Sequence, residues 1–315
     1  MISTTDPHRN RKPRNISEEE WAVRVQLAAA YRLAAKFQLT DLIYTHISVR
    51  VPGTQDQFLI NPHGWFFDEI TASCLVKIDT EGRPIGDNRF EVNAAGFTIH
   101  SALHQSRHDV ECVVHLHTDA GMAVAALECG LLPLNQISMQ FYNRVNYHDY
   151  EGISLDLDER SRIVQSMGDA NYLILRNHGL LTTGRSVAEA FTRMFYLNRA
   201  CEIQLQTLSM GQKVTLPSPE VCEHAAKQHD DYAYLDTVHL DREWTALLRL
   251  LDRDGGTIAA EAASPVSRYA TPRAMRSRST SRSYSSPRRM PRAMAASRGA
   301  TPCAMAWRTM RAAWS

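Results

Sequence analysis

The stretch ECVVHLHTD, residues 111–119, decides how this chain is read. Its β-branched centre, Val113-Val114, marks a strand over Cys112 to His117, and alternate side chains of a strand share a face. His115 and His117 therefore project together from the strand end, a geometry that chelates a metal ion. A second apolar run, LILRNHGLL at residues 173–181, carries His178 just past a strand over Asn171 to Arg176, and Gly179 allows a tight backbone path beside it. Three imidazoles from two neighbouring strand ends would hold a divalent ion with positions left for water or substrate, as catalytic rather than structural zinc sites do. Spacing alone leaves a second reading open, in which these are partly exposed strand-end histidines.

Outward from these strands, Ser17 with Glu20 forms a capping signature ahead of Trp21, Val25, Ala28, Ala29 and Leu33 at helical spacing, which predicts a helix from Glu18 to Phe37. Short β-rich runs follow at Tyr44 to Val51, Phe58 to Ile60 and Leu75 to Asp79, broken by Pro52-Gly53, Asn61-Pro62 and Glu81-Gly82. Asn93 to His108 and Ala120 to Leu127 read as helices, and Ser186 with Glu189 opens a long helix towards Leu208. Strands alternating with helices, without internal repeats, predict a layered α/β domain. A helical region from Glu220 to Leu251, set off by Leu216-Pro217-Ser218-Pro219, is too short for a core of its own and reads as an appendage.

Other histidines offer further candidates. His100 and His104 lie four apart on the Asn93 helix, placed either to chelate or to form a polar helix face. His46 and His63, the latter in the turn Asn61-Pro62-His63-Gly64, sit in or beside short strands and are candidates to line a cleft. His148, in NYHDYEG at 146–152, has Asp149 available to orient its ring.

The 315 residues, 44% apolar and 22% charged, exclude a disordered or fibrous whole chain. No stretch approaches the roughly 18 apolar residues of a spanning helix, and the polar start lacks a signal-peptide core, so a cytoplasmic location is expected. Six scattered cysteines (Cys74, Cys112, Cys129, Cys201, Cys222, Cys303) show no C-x-x-C spacing and read as small buried apolar residues. The net charge of +1 hides an asymmetry: residues 264–315 hold eleven arginines and no Lys, Asp or Glu, which leaves −10 for the rest. An acidic body does not fit nucleic-acid binding. The expected organisation is a disordered arm over 1–16, one domain with its helical appendage over 17–252, and a disordered Arg/Ser/Ala-rich tail over 253–315. Three readings of the tail compete: an anionic-surface or RNA binder, a flexible end, or an out-of-frame translation of GC-rich codons.

With THISVR (45–50), FLINPHGWFFDEIT (58–71), the 97–117 block ending VVHLH and LILRNHGLLTTG (173–184), the sequence resembles the class II aldolase and adducin head-domain family over roughly Ser17 to Gly211. EVNAAGFTIHSALH, ECGLLPLNQ and YHDYEGI are similar to its adducin-like branch. The resemblance implies a three-layer α/β/α sandwich with a mixed, largely antiparallel central sheet, a homotetramer with sites at subunit interfaces, and His115, His117 and His178 as ligands of a divalent metal: zinc first, with manganese, cobalt or iron as alternatives.

The departures from the family pattern shape the expected function. Where family aldolases carry a glutamate nineteen residues before the first ligand, this chain has Gly96, and nearby Glu91 need not point into the site. The family's phosphate-gripping positions are here Thr45-His46, His63 and Ala94-Ala95, which speaks against phosphorylated sugars. His46, Asn61, His63 and Gly64 are the candidate substrate-binding residues, and His63 and Tyr150 the candidate catalytic ones. The expected function is a metal-dependent lyase, of aldolase or decarboxylase type, acting on a small hydroxy- or keto-acid. The alternative is a non-catalytic, adducin-like oligomeric scaffold for cytoskeletal or other protein partners.

Overall fold

The computed structural model describes residues 12–13, 15–86, 90–152, 158–235 and 237–253, with the backbone course alone for 94–97 and 232–239. The elements run α1 (Glu18–Lys36), β1 (His46–Arg50), β2 (Gln57–Ile60), a 3-10 turn (Phe67–Glu69), β3 (Val76–Asp79), α2 (Ala94–Ser106), β4 (Cys112–Leu116), α3 (Asp119–Ala125), α4 (Gln136–Met139), β5 (Val145–His148), α5 (Glu159–Met167), β6 (Tyr172–Leu175), β7 (Gly179–Gly184), α6 (Val187–Ser209), α7 (Pro219–Leu235) and α8 (Thr237–Asp252). The strands form one sheet in the order β3-β2-β1-β4-β7-β6-β5, antiparallel throughout except for the parallel β5–β6 pair.

Alternation along β4 divides the interior into layers. Cys112, Val114 and Leu116 face the large core under α1 and α6, with Ala28, Leu33, Phe191 and Leu197, whereas Val113 faces Ile99 and Leu103 of α2 and Ile163 and Met167 of α5. Helices thus cover both faces of a mixed, largely antiparallel sheet, as expected. Both predicted caps form: Ser17 Oγ accepts from the Glu20 N–H and Ser186 Oγ from the Glu189 N–H, each at 3.1 Å.

One tyrosine joins α1 to the sheet. The Tyr31 hydroxyl lies 2.5 Å from the Ile47 carbonyl and 2.8 Å from Asn61 Oδ1, and it accepts the Ile47 N–H at 2.8 Å. A buried ion triad works beside it: Glu20 receives Arg24 at 2.9 Å and Lys77 at 2.7 Å, and Arg24 also donates to the Leu75 carbonyl at 2.8 Å. Every charge in the group is met, the condition under which burying it is tolerated.

The helical appendage is two helices, and α8 is part of the main layer. Trp244, Leu248 and Leu251 join the large core, the Trp244 ring lies 5.9 Å from Phe191, and its Nε1–H reaches Gln26 Oε1 on α1. Cys74, Cys112, Cys201 and Cys222 are buried, Cys129 is half-buried, and burial pushes the Cys201 thiol up to about 12. Cys303 and almost all of the expected tail and N-terminal arm lie outside the described residues. No described helix is long and apolar enough to cross a membrane.

Candidate metal centre

The end of β4 and the turn from β6 to β7 meet because β4 pairs with β7, Leu116 opposite Leu180. Gly179 makes that approach possible: a Cβ there would stand 2.6 Å from the Leu116 carbonyl oxygen and 3.0 Å from His117 Cδ2. Its neighbour Asn177 takes φ +55°, a left-handed conformation that asparagine tolerates, and turns the chain so that His178 enters the site. The three rings stand with centroids 4.7 to 4.8 Å apart. Their ligand atoms all fall within 4.8 Å of one another.

Hydrogen bonds behind the rings fix which nitrogen faces inward. His115 Nδ1 lies 3.0 Å from the Leu180 carbonyl, an acceptor only, so the hydrogen is on Nδ1 and Nε2 is bare. His117 Nδ1 lies 3.1 Å from Asp41 Oδ2, which accepts its hydrogen and leaves Nε2 facing the other two rings. The Nε2 atoms of His115 and His117 turn towards each other and stand 3.1 Å apart. Tetrahedral zinc, with bonds of about 2.0–2.1 Å to nitrogen, sets its ligand nitrogens about 3.3 Å apart, so this donor set fits a divalent cation. Burial pushes the His115 imidazolium well below its usual range, with His178 and His117 adding to the effect, and His178 is pushed down to about 4, mainly by burial and then by His117. Neutral rings are the metal-binding form.

His46 extends the cluster. It pairs across β1–β4 with His115, its ring stacked at 6.4 Å, and it is 5% exposed with neither ring nitrogen hydrogen-bonded among the described residues. Thr45 before it is buried at φ +71°, a strained conformation for a β-branched residue, and its hydroxyl has no partner among the described residues. His63 and Gly64 sit in an exposed turn, where the His63 N–H donates to the Glu91 carbonyl at 2.8 Å. The His63 side chain lies close enough to His46 to repel its charged form. Asn61 is buried, and its side-chain oxygen is taken up by Tyr31 rather than turned to the cleft. Tyr150 is 53% exposed with its ring 6.3 Å from His178. Glu91 is exposed, and Gly96 lies on α2.

Two expectations change. His100 and His104 form neither a solvated face nor part of the metal cluster; both are fully buried against β1, sharing the Ser48 hydroxyl. The ring of His148 is held by Ser166 Oγ at 2.9 Å and faces Glu159 at 3.5 Å, with Glu151 at 3.9 Å. No such contact is made by Asp149, which lies next to it in sequence. Asp41, unmarked by any spacing pattern, is the residue that sequence reasoning missed.

The profile of the Class II Aldolase and Adducin N-terminal domain matches residues 25–205. An aldolase II superfamily protein from Pseudomonas syringae is 49% identical in a match covering 76% of this chain and 95% of that one, with a TM-score of 0.72. L-fuculose 1-phosphate aldolase from Glaciozyma antarctica is 27% identical over 77% of this chain and 96% of its own, with a TM-score of 0.65. Alpha-adducin of Rattus norvegicus is 47% identical over 193 residues, 60% of this chain but 26% of the adducin.

Proposed function

Because the chain belongs to the class II aldolase and adducin N-terminal domain family, which holds both lyases and adducins, we propose that it is a metal-dependent lyase acting on a small hydroxy- or keto-acid. The observation that carries this reading is the convergence of the His115 and His117 Nε2 atoms, 3.1 Å apart, with a His178 ring nitrogen within 4.8 Å completing the set. A bound divalent ion supplies Lewis-acid stabilisation of negative charge at a substrate oxygen. Zinc suits three imidazoles best, and manganese, cobalt or iron are compatible.

This chain's own residues do the rest. Asp41 and the Leu180 carbonyl hold two of the ligand rings in the binding tautomer. In this reading His63, near His46, engages the substrate's carboxylate or carbonyl oxygen. Gly96 leaves no carboxylate at the family's acid/base position, which favours decarboxylation, because carbon dioxide departs without prior removal of a proton. Retro-aldol cleavage requires a base, for which His63 and Tyr150 are the available groups. Elemental analysis of untagged protein tests the reading: about one divalent ion per chain, lost in His117→Ala, supports it, and chain that cannot be loaded with zinc refutes it.

A second reading, a non-catalytic oligomeric scaffold in the cytoplasm, is favoured by a specific contrast. Identity to alpha-adducin is 47%, against 27% to the L-fuculose 1-phosphate aldolase though 49% to the Pseudomonas syringae aldolase II superfamily protein, and Gly96 supplies no acid/base group. Co-sedimentation with actin filaments in the absence of any metal uptake would select it. In either reading the chain assembles as a homo-oligomer, a tetramer in the family's usual form, with sites between subunits.

A further inference from the structure

The three ligand rings are not held alike. The Leu180 carbonyl stands behind His115 and Asp41 behind His117, whereas the His178 ring has no hydrogen-bond partner among the described residues. Its direction rests on the turn that carries it, Leu175 to Gly179. With Asn177 at φ +55° inside so short a turn, whatever fixes residues 176 and 177 fixes the ring.

Anchors reach this turn from the sheet and from a helix. On the sheet side the Arg176 N–H donates to the His148 carbonyl at 2.8 Å, and the His178 N–H to the Leu175 carbonyl at 3.1 Å. On the helix side the acceptors are carbonyls at and just past the end of α3. The Asn177 N–H donates to the Ala125 carbonyl at 3.3 Å, and the Arg176 guanidinium donates to the Leu127 carbonyl at 2.5 Å and the Glu128 carbonyl at 3.5 Å. The same guanidinium lies over the Tyr147 ring, 4.2 Å from its centroid, in a cation–π contact. Tyr147 is itself fixed, because its hydroxyl receives the Leu131 N–H at 3.0 Å. At its other end α3 begins just after His117: Thr118 is the N-cap, its Oγ1 accepting the Gly121 N–H at 3.1 Å. A helix of seven residues thus runs from one ligand to the other, and Arg176 is the side chain that ties its far end to the His178 turn.

We infer that Arg176 is a positioning residue for the metal centre: its guanidinium, clamped between the Tyr147 ring and the carbonyls that follow α3, holds the Leu175–Gly179 turn in the course that brings the His178 imidazole to His115 and His117. It acts through His178 and touches neither ion nor substrate. The inference rests on the proposed metal centre and adds to it what keeps the third ligand in place. Two alternatives predict the opposite. A cation acting only by its charge would repel a divalent ion, so its removal would tighten binding, and a lysine would serve as well as an arginine. A clamp needs the planar fork that meets two carbonyls while stacking on a ring, which an ammonium lacks.

Two measurements on full-length protein test this. Zinc titration against a chromogenic chelator should show affinity roughly 10–100-fold weaker in both Arg176→Ala and Arg176→Lys, the usual effect of losing a group that orients a ligand. Hydrogen–deuterium exchange of the metal-free protein should show the Asn177 and His178 amides exchanging at least about tenfold faster in Arg176→Lys, the worth of one hydrogen bond from a charged group, with the β4 amides unchanged. Zinc affinity equal to or tighter than wild type in either variant overturns the inference, as does unaltered exchange at the turn. Equal acceleration along β4 would mark a general loss of stability and also counts against it. If neither variant folds, Tyr147→Leu, which strips the ring from the clamp and leaves the turn's own sequence intact, is held to the same two outcomes. Wild-type chain that takes up no zinc ends the metal reading, whereas the exchange comparison, made without metal, still decides whether Arg176 holds the turn.

Discussion

Asp41 and His117, 76 positions apart in the chain, meet through Oδ2 and Nδ1 at 3.1 Å. The contact makes His117 a better ligand, since a carboxylate behind an imidazole fixes its tautomer and raises the basicity of the other nitrogen. Asp41→Asn is expected to lower zinc affinity roughly 10–100-fold with the fold intact. Competition against a chromogenic chelator measures it, and unchanged affinity would remove Asp41 from the site.

Gly179 stands where its backbone all but touches the neighbouring strand. In Gly179→Ala the new methyl would meet the Leu116 carbonyl oxygen at 2.6 Å, and backbone cannot step aside without opening the β4–β7 ladder. The expected cost is about 1–3 kcal/mol in urea unfolding, together with loss of bound metal as His178 is displaced. A variant with wild-type stability and full metal content would show that the turn is free to shift.

Acid should unfold this protein through its buried imidazoles. His100 and His104 titrate near 3 in the folded chain against 6.5 in the unfolded one, so between those values only the unfolded state takes up their protons. The stabilisation is complete above pH 6.5 and is lost as pH falls, by about 1.4 kcal/mol per pH unit for each group well inside the window. His46 and His115, also pushed down by burial, act in the same direction. Urea midpoints of chelator-treated protein at pH 7.5, 6 and 5 should fall steeply, with a shallower decline in His104→Gln. Constant midpoints across that range would contradict the burial of neutral rings.

Tyr31→Phe removes one oxygen that meets four groups, the N–H and carbonyl of Ile47 and the N–H and Oδ1 of Asn61. The Ile47 N–H and Asn61 Oδ1 would be left buried and unmet, at an expected cost of about 1–3 kcal/mol with metal binding retained. Loss of metal in a folded Tyr31→Phe chain would instead place the α1 contact within the site.

Much of the site could be read from spacing, because the His115–His117 pair needs only the two-residue repeat of a strand and His178 announces itself beside a glycine. The caps at Ser17 and Ser186 were legible for the same reason, as they rest on contacts three residues apart. Strands β5 and β7 were not. VNYH is short and lies at the sheet edge, and GLLTTG is bounded by glycines and holds two threonines that look exposed, although Thr182 is buried with its hydroxyl on the Ala190 carbonyl at 2.9 Å. Asp41 escaped because its partner is brought to it by the sheet rather than by local sequence. His100 and His104, read as either a chelating pair or a polar face, are neither, since no helical pattern shows that Ser48 waits on the other side.

The clasp of α8 on α1 also bears on the order of events during synthesis. Gln26 and Trp244 touch across 218 positions, and the central β1–β4 pair joins residues from the first and second quarters of the chain. Neither contact repays its loop-closure entropy early. A ribosome that has made the whole sheet has still not delivered the Trp244, Leu248 and Leu251 side chains that seal the core, so the nascent chain passes through a stage with an open apolar seam along α1 and α6. That seam is where a chaperone would hold the growing protein, and where a premature stop would leave it prone to aggregate.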